Sequence, residues 1–189
     1  MSFRSHIRGF AIAAVFAASA MISSQANAQA TATGTANANA TIAKPITINA
    51  STDLDFGIIV PNGVGNGALT VTIDTAGART IAGNVDGALM GGTIGAATFD
   101  ITGRPNATYA ITLPGVASDM IGTVNPANTM PGSVGNFTES TGVLGGTLVV
   151  GGTPGLGQDS FTVGADLVVP ETQADDVYLG TFDVIVTYN

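Results

Sequence analysis

Apolar residues fall on alternate positions over long stretches of this chain, and helix formers other than Ala are rare. From Gln29 to Ile42 the residues read Q-A-T-A-T-G-T-A-N-A-N-A-T-I. Ala30, Ala32, Gly34, Ala36, Ala38, Ala40 and Ile42 hold the even positions, and Thr or Asn holds most odd ones. Alternation of this kind puts the small apolar groups on one face of an extended chain. The same parity continues through Ile46, Ile48, Leu54, Phe56 and Ile58. Pro45 falls on the odd face, which suits an edge strand or a break better than a central strand.

Further strands are predicted between turn signals. Asn62-Gly63 and Asn66-Gly67 are turn dipeptides, and Leu69–Asp74 follows as a strand. Thr80–Ala96 is Gly-rich and reads as loop with one short strand at most. Ala97–Thr102 and Ala107–Leu113 flank Gly103-Arg104-Pro105-Asn106 and predict an antiparallel hairpin. Phe99, Ile101, Tyr109, Ile111 and Leu113 would share its buried face. Residues 114–136 are broken by Pro and Gly and read as loop. Gly142–Val150 is a strand region, Gly151–Asp159 a turn, and Phe161–Val163 and Leu167–Val169 are short strands. The last strand is Tyr178–Tyr188, with Phe182, Val184, Val186 and Tyr188 on one face; Ile185 interrupts the polar face and predicts cover on both sides. About eight short strands predict an all-β fold, an antiparallel immunoglobulin-like β-sandwich. A small β-barrel is the alternative.

The N-terminus changes the picture of where the chain works. Arg4 and Arg8 precede the apolar run Gly9–Ile22, and Ala26-Asn27-Ala28 follows. A charged start, a short apolar core and a small-residue exit form a signal peptide. The run is shorter than the ~20 residues of a membrane span. Cleavage is expected after Ala28, with Ala30 as the second choice. The expected organisation is residues 1–28 signal peptide, 29–41 extended N-terminal arm and 42–189 β-sandwich domain. The exported chain then keeps Lys44, Arg79 and Arg104 as its only basic side chains against all 13 acidic ones. Such a surface repels nucleic acid and anionic bilayers. With no Cys in the chain, stability must come from packing and strand pairing although the exported compartment permits disulfides.

The chemistry that is missing narrows function further. His6 is the sole His and lies in the signal peptide, so His-based triads, Cys nucleophiles and His-containing zinc sites are excluded from the exported part. No Trp is present to stack a sugar. Gly152–Asp159 has the glycine spacing of a phosphate loop with Gln158 where Lys is needed, and reads as a turn. Asp53 with Asp55, and Asp175 with Asp176, lack the calcium-loop pattern and read as solvated loop acids. No catalytic, cofactor-binding or metal-binding residues are expected, and the protein is expected not to be an enzyme.

Three segments carry a resemblance: Leu54-Asp55-Phe56-Gly57 followed by Ile58–Pro61, then Phe161–Pro170 (FTVGADLVVP), then Tyr178–Asn189 (YLGTFDVIVTYN). Together they resemble the secreted proteobacterial domain-of-unknown-function family 4402, over about residues 40–189. More distantly the chain is similar to chaperone–usher pilins and spore-coat-U-type proteins. The pilin likeness implies a sandwich lacking one strand, filled by the N-terminal arm of another subunit. It also implies self-association or pilin-like partner subunits, and a periplasmic chaperone. Two features depart from pilins: their Gly stands nearer the start of the last strand, whereas here Asp176 stands fourteenth from the end and Gly180 tenth, and the arm carries mostly Ala where donor arms are bulky.

The leading expectation is a non-catalytic secreted structural subunit, pilin-like or matrix-forming. It assembles by strand addition through Ala30, Ala32, Gly34, Ala36, Ala38, Ala40 and Ile42, with Phe182, Val184, Val186 and Tyr188 as the facing candidates. For residues 29–41 a flexible tail stands beside the donor arm as an open alternative. A soluble surface-binding or adhesive module is the second functional expectation, and an outer-membrane β-barrel the third. The location is periplasm, cell surface or extracellular space, without stable membrane insertion of the exported part.

Overall fold

The structure, a computed structural model, describes residues 31–83 and 86–189; the expected signal peptide, its cleavage sites and Ala30 lie outside them. The chain divides into two compact units, Met1–Ala40 and Thr41–Asn189. The second is all-β. Its strands are β1 (Thr47–Thr52), β2 (Ile59–Val60), β3 (Leu69–Ile73), β4 (Arg79–Ala82), β5 (Ala88–Leu89), β6 (Ala97–Gly103) and β7 (Thr108–Thr112). They continue with β8 (Ser118–Gly122), β9 (Thr129–Glu139), β10 (Gly145–Thr147), β11 (Val149–Val150), β12 (Gly157–Val169), β13 (Tyr178–Leu179) and β14 (Ile185–Tyr188). All pairings are antiparallel.

The large sheet runs β1-β6-β12-β9-β8-β13, with β3-β4 and β11 also attached to β12. A small sheet, β10-β7-β14, forms a second layer, and β2-β5 a third, minor ribbon. The all-β expectation therefore holds, in an architecture of open, curled antiparallel sheets. The strands are more numerous than the eight expected and vary from two residues to the 13 of β12.

Strand β12 makes the large sheet possible. Residues Gly157–Val163 pair with β6, and Ala165–Val169 pair with β3. Sequence alternation reads two short strands here, separated at Gly164; the structure makes them one strand of 13 residues. Gly164 is the point where the end of β3 approaches: a Cβ there would lie 2.3 Å from the Ile73 carbonyl oxygen. The absence of a side chain reads as a break in the pattern, but it is what lets two strands share one edge of β12.

The interior has two halves. Leu69, Val71, Ile73, Met130, Val134, Leu167 and Val169 fill one, and Phe99, Ile101, Tyr109, Ile111, Leu148, Phe161 and Val163 the other. Leu54 and Phe137 pack against both. Each such side chain contributes about 1.5–3 kcal/mol by leaving water. Phe99 stacks on Phe161 with ring centroids 5.5 Å apart. Tyr109 is buried, and its hydroxyl donates to Asp159 Oδ2 at 2.8 Å. Burial first, and Asp159 second, push its pKa up, so it remains a donor at ordinary pH.

Four sequence expectations are corrected. The predicted hairpin of Ala97–Thr102 with Ala107–Leu113 does not form: β6 pairs with β1 and β12, and β7 with β10 and β14. The chain crosses between layers at Gly103–Asn106, where Asn106 has φ 60°. Phe99 and Ile101 pack in the same interior half as Tyr109 and Ile111, so the two apolar faces cover each other. A hairpin would place them all on one face still lacking a cover. Residues 114–136 are not only loop but contain β8 and the start of β9. Pro131 falls where the register slips between Ser118 and Met120, so its missing N–H interrupts no regular ladder. Gly132 beside it has φ 57°, and its N–H donates to Asp119 Oδ1 at 2.6 Å.

Thr80–Ala96 holds the end of β4 and all of β5 rather than one short strand. Finally, Tyr178–Tyr188 is not one continuous ladder, and Ile185 is 57% exposed rather than covered. The ladder with β7 ends where Pro114, the residue in register with Asp183, has no N–H to give.

Replacing Gly164 by Ala is expected to destabilise the fold by about 1–3 kcal/mol, read as a lower urea midpoint. Gly115→Ala, in open space, is the control and should stay within ~0.5 kcal/mol. Equal midpoints would show that the end of β3 yields without cost.

Candidate functional site: an open groove beside an unpaired strand edge

The small sheet covers only one half of the large sheet's inner face. Over the other half lies a groove of about 1060 Å³. Its floor is Phe99 from β6, Met130 and Val134 from β9, and Leu167 and Val169 from β12. One wall is the segment from Ala50 through Pro61, and the other is Gln173–Phe182. Met90, Met120 and Met130, the only methionines after Met21, all line it. Thioether side chains re-pack easily around differently shaped guests.

Both walls are pinned from behind. Arg79 on β4 donates to the Phe56 carbonyl at 2.6 Å and also to the carbonyl of Met90, which ties the first wall to the segment after β5. Gly57 has φ 70°, and a Cβ there would lie 2.5 Å from the Arg79 guanidinium, so the guanidinium needs that glycine. Asn62, 1% exposed, accepts from Asp86 N–H and Gly87 N–H and donates to the Gly67 carbonyl. The Asn62-Gly63 signal thus marks a loop tied by a buried side chain.

On the second wall, Gln173 donates to the Tyr178 hydroxyl at 2.6 Å, and that hydroxyl donates to the Ala174 carbonyl. Asp176 accepts from Val124 N–H, Asn125 N–H, Asn128 Nδ2 and its neighbour Val177 N–H. The Val124 hydrogen bond leads in lowering its pKa, against the opposing pull of desolvation, and the value falls to about 2.

The last strand borders the groove and is unpaired along one edge. In an extended strand, alternate residues turn their N–H and C=O toward opposite edges. The odd-numbered residues at its two ends are bonded, while Gly180–Val184 between β13 and β14 pair with neither: Thr123 N–H donates to the Val177 carbonyl at 2.8 Å, and Asn189 N–H to the Thr108 carbonyl at 3.2 Å. Both β8 and β7 therefore bond the same edge of this strand. The opposite edge belongs to the even residues. Among the described residues, the backbones of Gly180, Phe182, Val184, Val186 and Tyr188 have no partner strand on that side. Strands β13 and β14 each end a sheet order, as does β1 at the other end of the large sheet.

The predicted assembly residues up to Ala40 belong to the first unit, and Ile42, Phe182, Val184, Val186 and Tyr188 to the second. Ala32, Gly34, Ala36, Ala38, Ala40 and Ile42 are exposed and lie in no strand. Phe182, Val184, Val186 and Tyr188 are half-buried and pack inward. Phe182 meets Phe137 at 4.9 Å and Phe99 at 6.1 Å between centroids. The Tyr188 hydroxyl accepts from Arg104 N–H at 2.7 Å and donates to the Lys44 carbonyl at 2.9 Å, pinning the approach to β1. Gly103 makes room for it. The three methionines escaped sequence reasoning because their spacing follows no strand or helix period. The paired acids at Asp53 and Asp55, and at Asp175 and Asp176, line the groove. No group of three or more acidic or His side chains able to hold a metal occurs among the described residues.

Asp176 gives a pH prediction. Its folded pKa lies below the unfolded value of ~3.9, so its contribution to stability is complete above that value and is lost as pH falls toward about 2. Asp176→Asn should lower the urea midpoint at pH 7, and the gap from the unsubstituted protein should narrow between pH 4 and pH 2. A gap independent of pH would show that the carboxylate's charge is not what holds the turn.

The chain matches the family described as Domain of unknown function (DUF4402) over residues 46–188. No curated protein and no solved structure matches it. The family match takes in both groove walls, the whole core and the unpaired last strand, and the chain belongs to the DUF4402 family.

Proposed function

We propose that this protein is a non-catalytic, exported structural subunit that assembles with other subunits by strand addition through its N-terminal arm. One observation carries the reading. The arm alternates small apolar and polar residues over Ala30–Ile42, as a strand does, yet its described residues 31–42 lie exposed in no strand. Isolated, such a segment gains nothing from its pattern. Paired, it would bury its even side chains and satisfy its backbone.

The energetics suit a moderate association. Each Ala methyl contributes about 0.8 kcal/mol on burial, so the five arm alanines supply only a few kcal/mol. Main-chain hydrogen bonds add about 0.5–1.5 kcal/mol each, net of water. Repetition along a polymer, rather than a tight single contact, would then give the assembly its strength. The arm carries no charge between Gln29 and Ala43, so pairing adds no repulsion to a strongly acidic surface.

The groove supports a second reading, a surface-binding or adhesive module. Its apolar floor and three methionines suit an apolar guest. The two readings separate on one experiment. Deleting residues 31–42 from the exported chain should leave a β-rich, cooperatively unfolding monomer and abolish higher-order species on gel filtration and in negative-stain micrographs. If the deleted chain still forms the same species, strand addition through the arm is wrong.

A further inference from the structure

The arm needs an acceptor, and the groove alone does not define one. An added strand requires a run of backbone groups that no other strand has taken. The described residues offer such an edge bordering the groove. It is the even-residue edge of Tyr178–Tyr188, whose ladder partners β8 and β7 occupy only the odd side.

We infer that this edge, from Gly180 to Tyr188, is the acceptor, and that its occupant is the arm of a second copy of the chain. The inference rests on the strand-addition reading above and names the site at which addition occurs. Three observations select the occupant. First, the same chain contains an unpaired segment with the period of a strand, and its 13 residues span about 43 Å when extended, more than enough to run beside the 11 residues Tyr178–Tyr188.

Second, side chains directly opposite one another in a sheet share a face. The arm's even residues would therefore point inward beside Phe182 and Val184. Phe182 already fills its own surroundings, with Phe137 and Phe99 against it, so a strand laid alongside must bring small side chains. Ala32, Ala36, Ala38 and Ala40 are small. The feature that separates this arm from bulky pilin donors is the one the acceptor requires.

Third, the outward faces match. The arm's odd residues Thr33, Thr35, Asn37 and Asn39 are neutral and polar, and of the exposed odd residues Thr181, Asp183, Ile185 and Thr187 only Ile185 is apolar. Pairing in this parity buries no charge. The opposite parity would expose the alanines and turn Asn against the aromatic rings.

The chain contains no Cys, so engineered thiols report without background. Full-length chains carrying Asp183→Cys are co-expressed, with export, with chains carrying one arm substitution: Thr35→Cys, Asn37→Cys, Asn39→Cys, Ala36→Cys or Ala38→Cys. Disulfides demand close, directed Cβ atoms. The odd arm positions should give disulfide-linked dimers at least about tenfold more abundant than the even ones. Gel filtration of the same samples reads assembly independently. Assembly without a cross-link from any arm position, or cross-linking indifferent to parity, would move the acceptor elsewhere and leave the strand-addition reading standing. No assembly at all would overturn both.

Val184→Pro is the second arm of the test. The Val184 N–H faces the open edge, so proline there removes no ladder bond of the monomer. The variant should fold, as judged by its urea transition, and lose assembly by at least about tenfold. Unimpaired assembly of a folded Val184→Pro protein would overturn the inference. A double variant, Asn37→Cys with Asp183→Cys, that cross-links only within one chain would overturn it too, since the arm would then complete its own sheet.

Discussion

Every part of the large sheet hangs on β12. Its hydrogen bonds are shared between β6 and β3 along one edge and β11 and β9 along the other, and β1, β4 and β8 attach only through those neighbours. A strand of 13 residues is long enough to seat two partners end to end on one edge, provided the junction is narrow. Gly164 provides that junction. The same arrangement creates the two halves of the interior, because residues before and after Gly164 face different second layers. In the first half the small sheet covers the core. In the second half the cover is a ribbon of two-residue strands and two pinned loops, and the groove is what remains uncovered.

The unpaired edge follows from the same geometry. The last strand serves both layers: its beginning bonds to β8 of the large sheet and its end to β7 of the small one. Both lie on its odd side. Among the described residues no strand pairs with the even side, although β1 comes near the β14 end of it, so the strand that joins the layers is also the boundary of each. Proteins usually blunt such edges with charge, proline or bulges. Here Asp183 is the one charge in the last strand after Asp176, it points outward, and the edge itself carries Phe182, Val184 and Val186. The strand addition proposed above would cover this edge with the arm of a second copy, which matches it in length, parity and side-chain size.

Much of the fold was legible because period-2 patterning is direct: Leu69–Ile73, Ala97–Gly103, Thr108–Thr112 and the end of the last strand were all readable from alternation. What escaped depended on which strand pairs with which. The sequence pattern of Phe99, Ile101, Tyr109 and Ile111 says that both segments bury one face, but it does not distinguish one shared face from two opposed ones. Pro131 and Gly132 hid β9 because a bulge tolerates residues that a regular strand rejects, and Gly164 hid the continuity of β12 because a glycine needed for close approach looks like a turn. Phe182, Val184, Val186 and Tyr188 were visible as an inward-facing set. That their backbones face an empty edge was not, since edge or centre is a property of topology.

The most direct test of this account is amide hydrogen exchange on assembled and dissociated protein. The even-residue amides Gly180, Phe182, Val184 and Val186 should exchange fast in the dissociated chain and become protected on assembly, together with amides of the arm from Thr31 to Ile42. Amides of β12 should be protected in both. Assembly that leaves the even-residue amides fast while protecting another surface would contradict the claim that this edge is where subunits join.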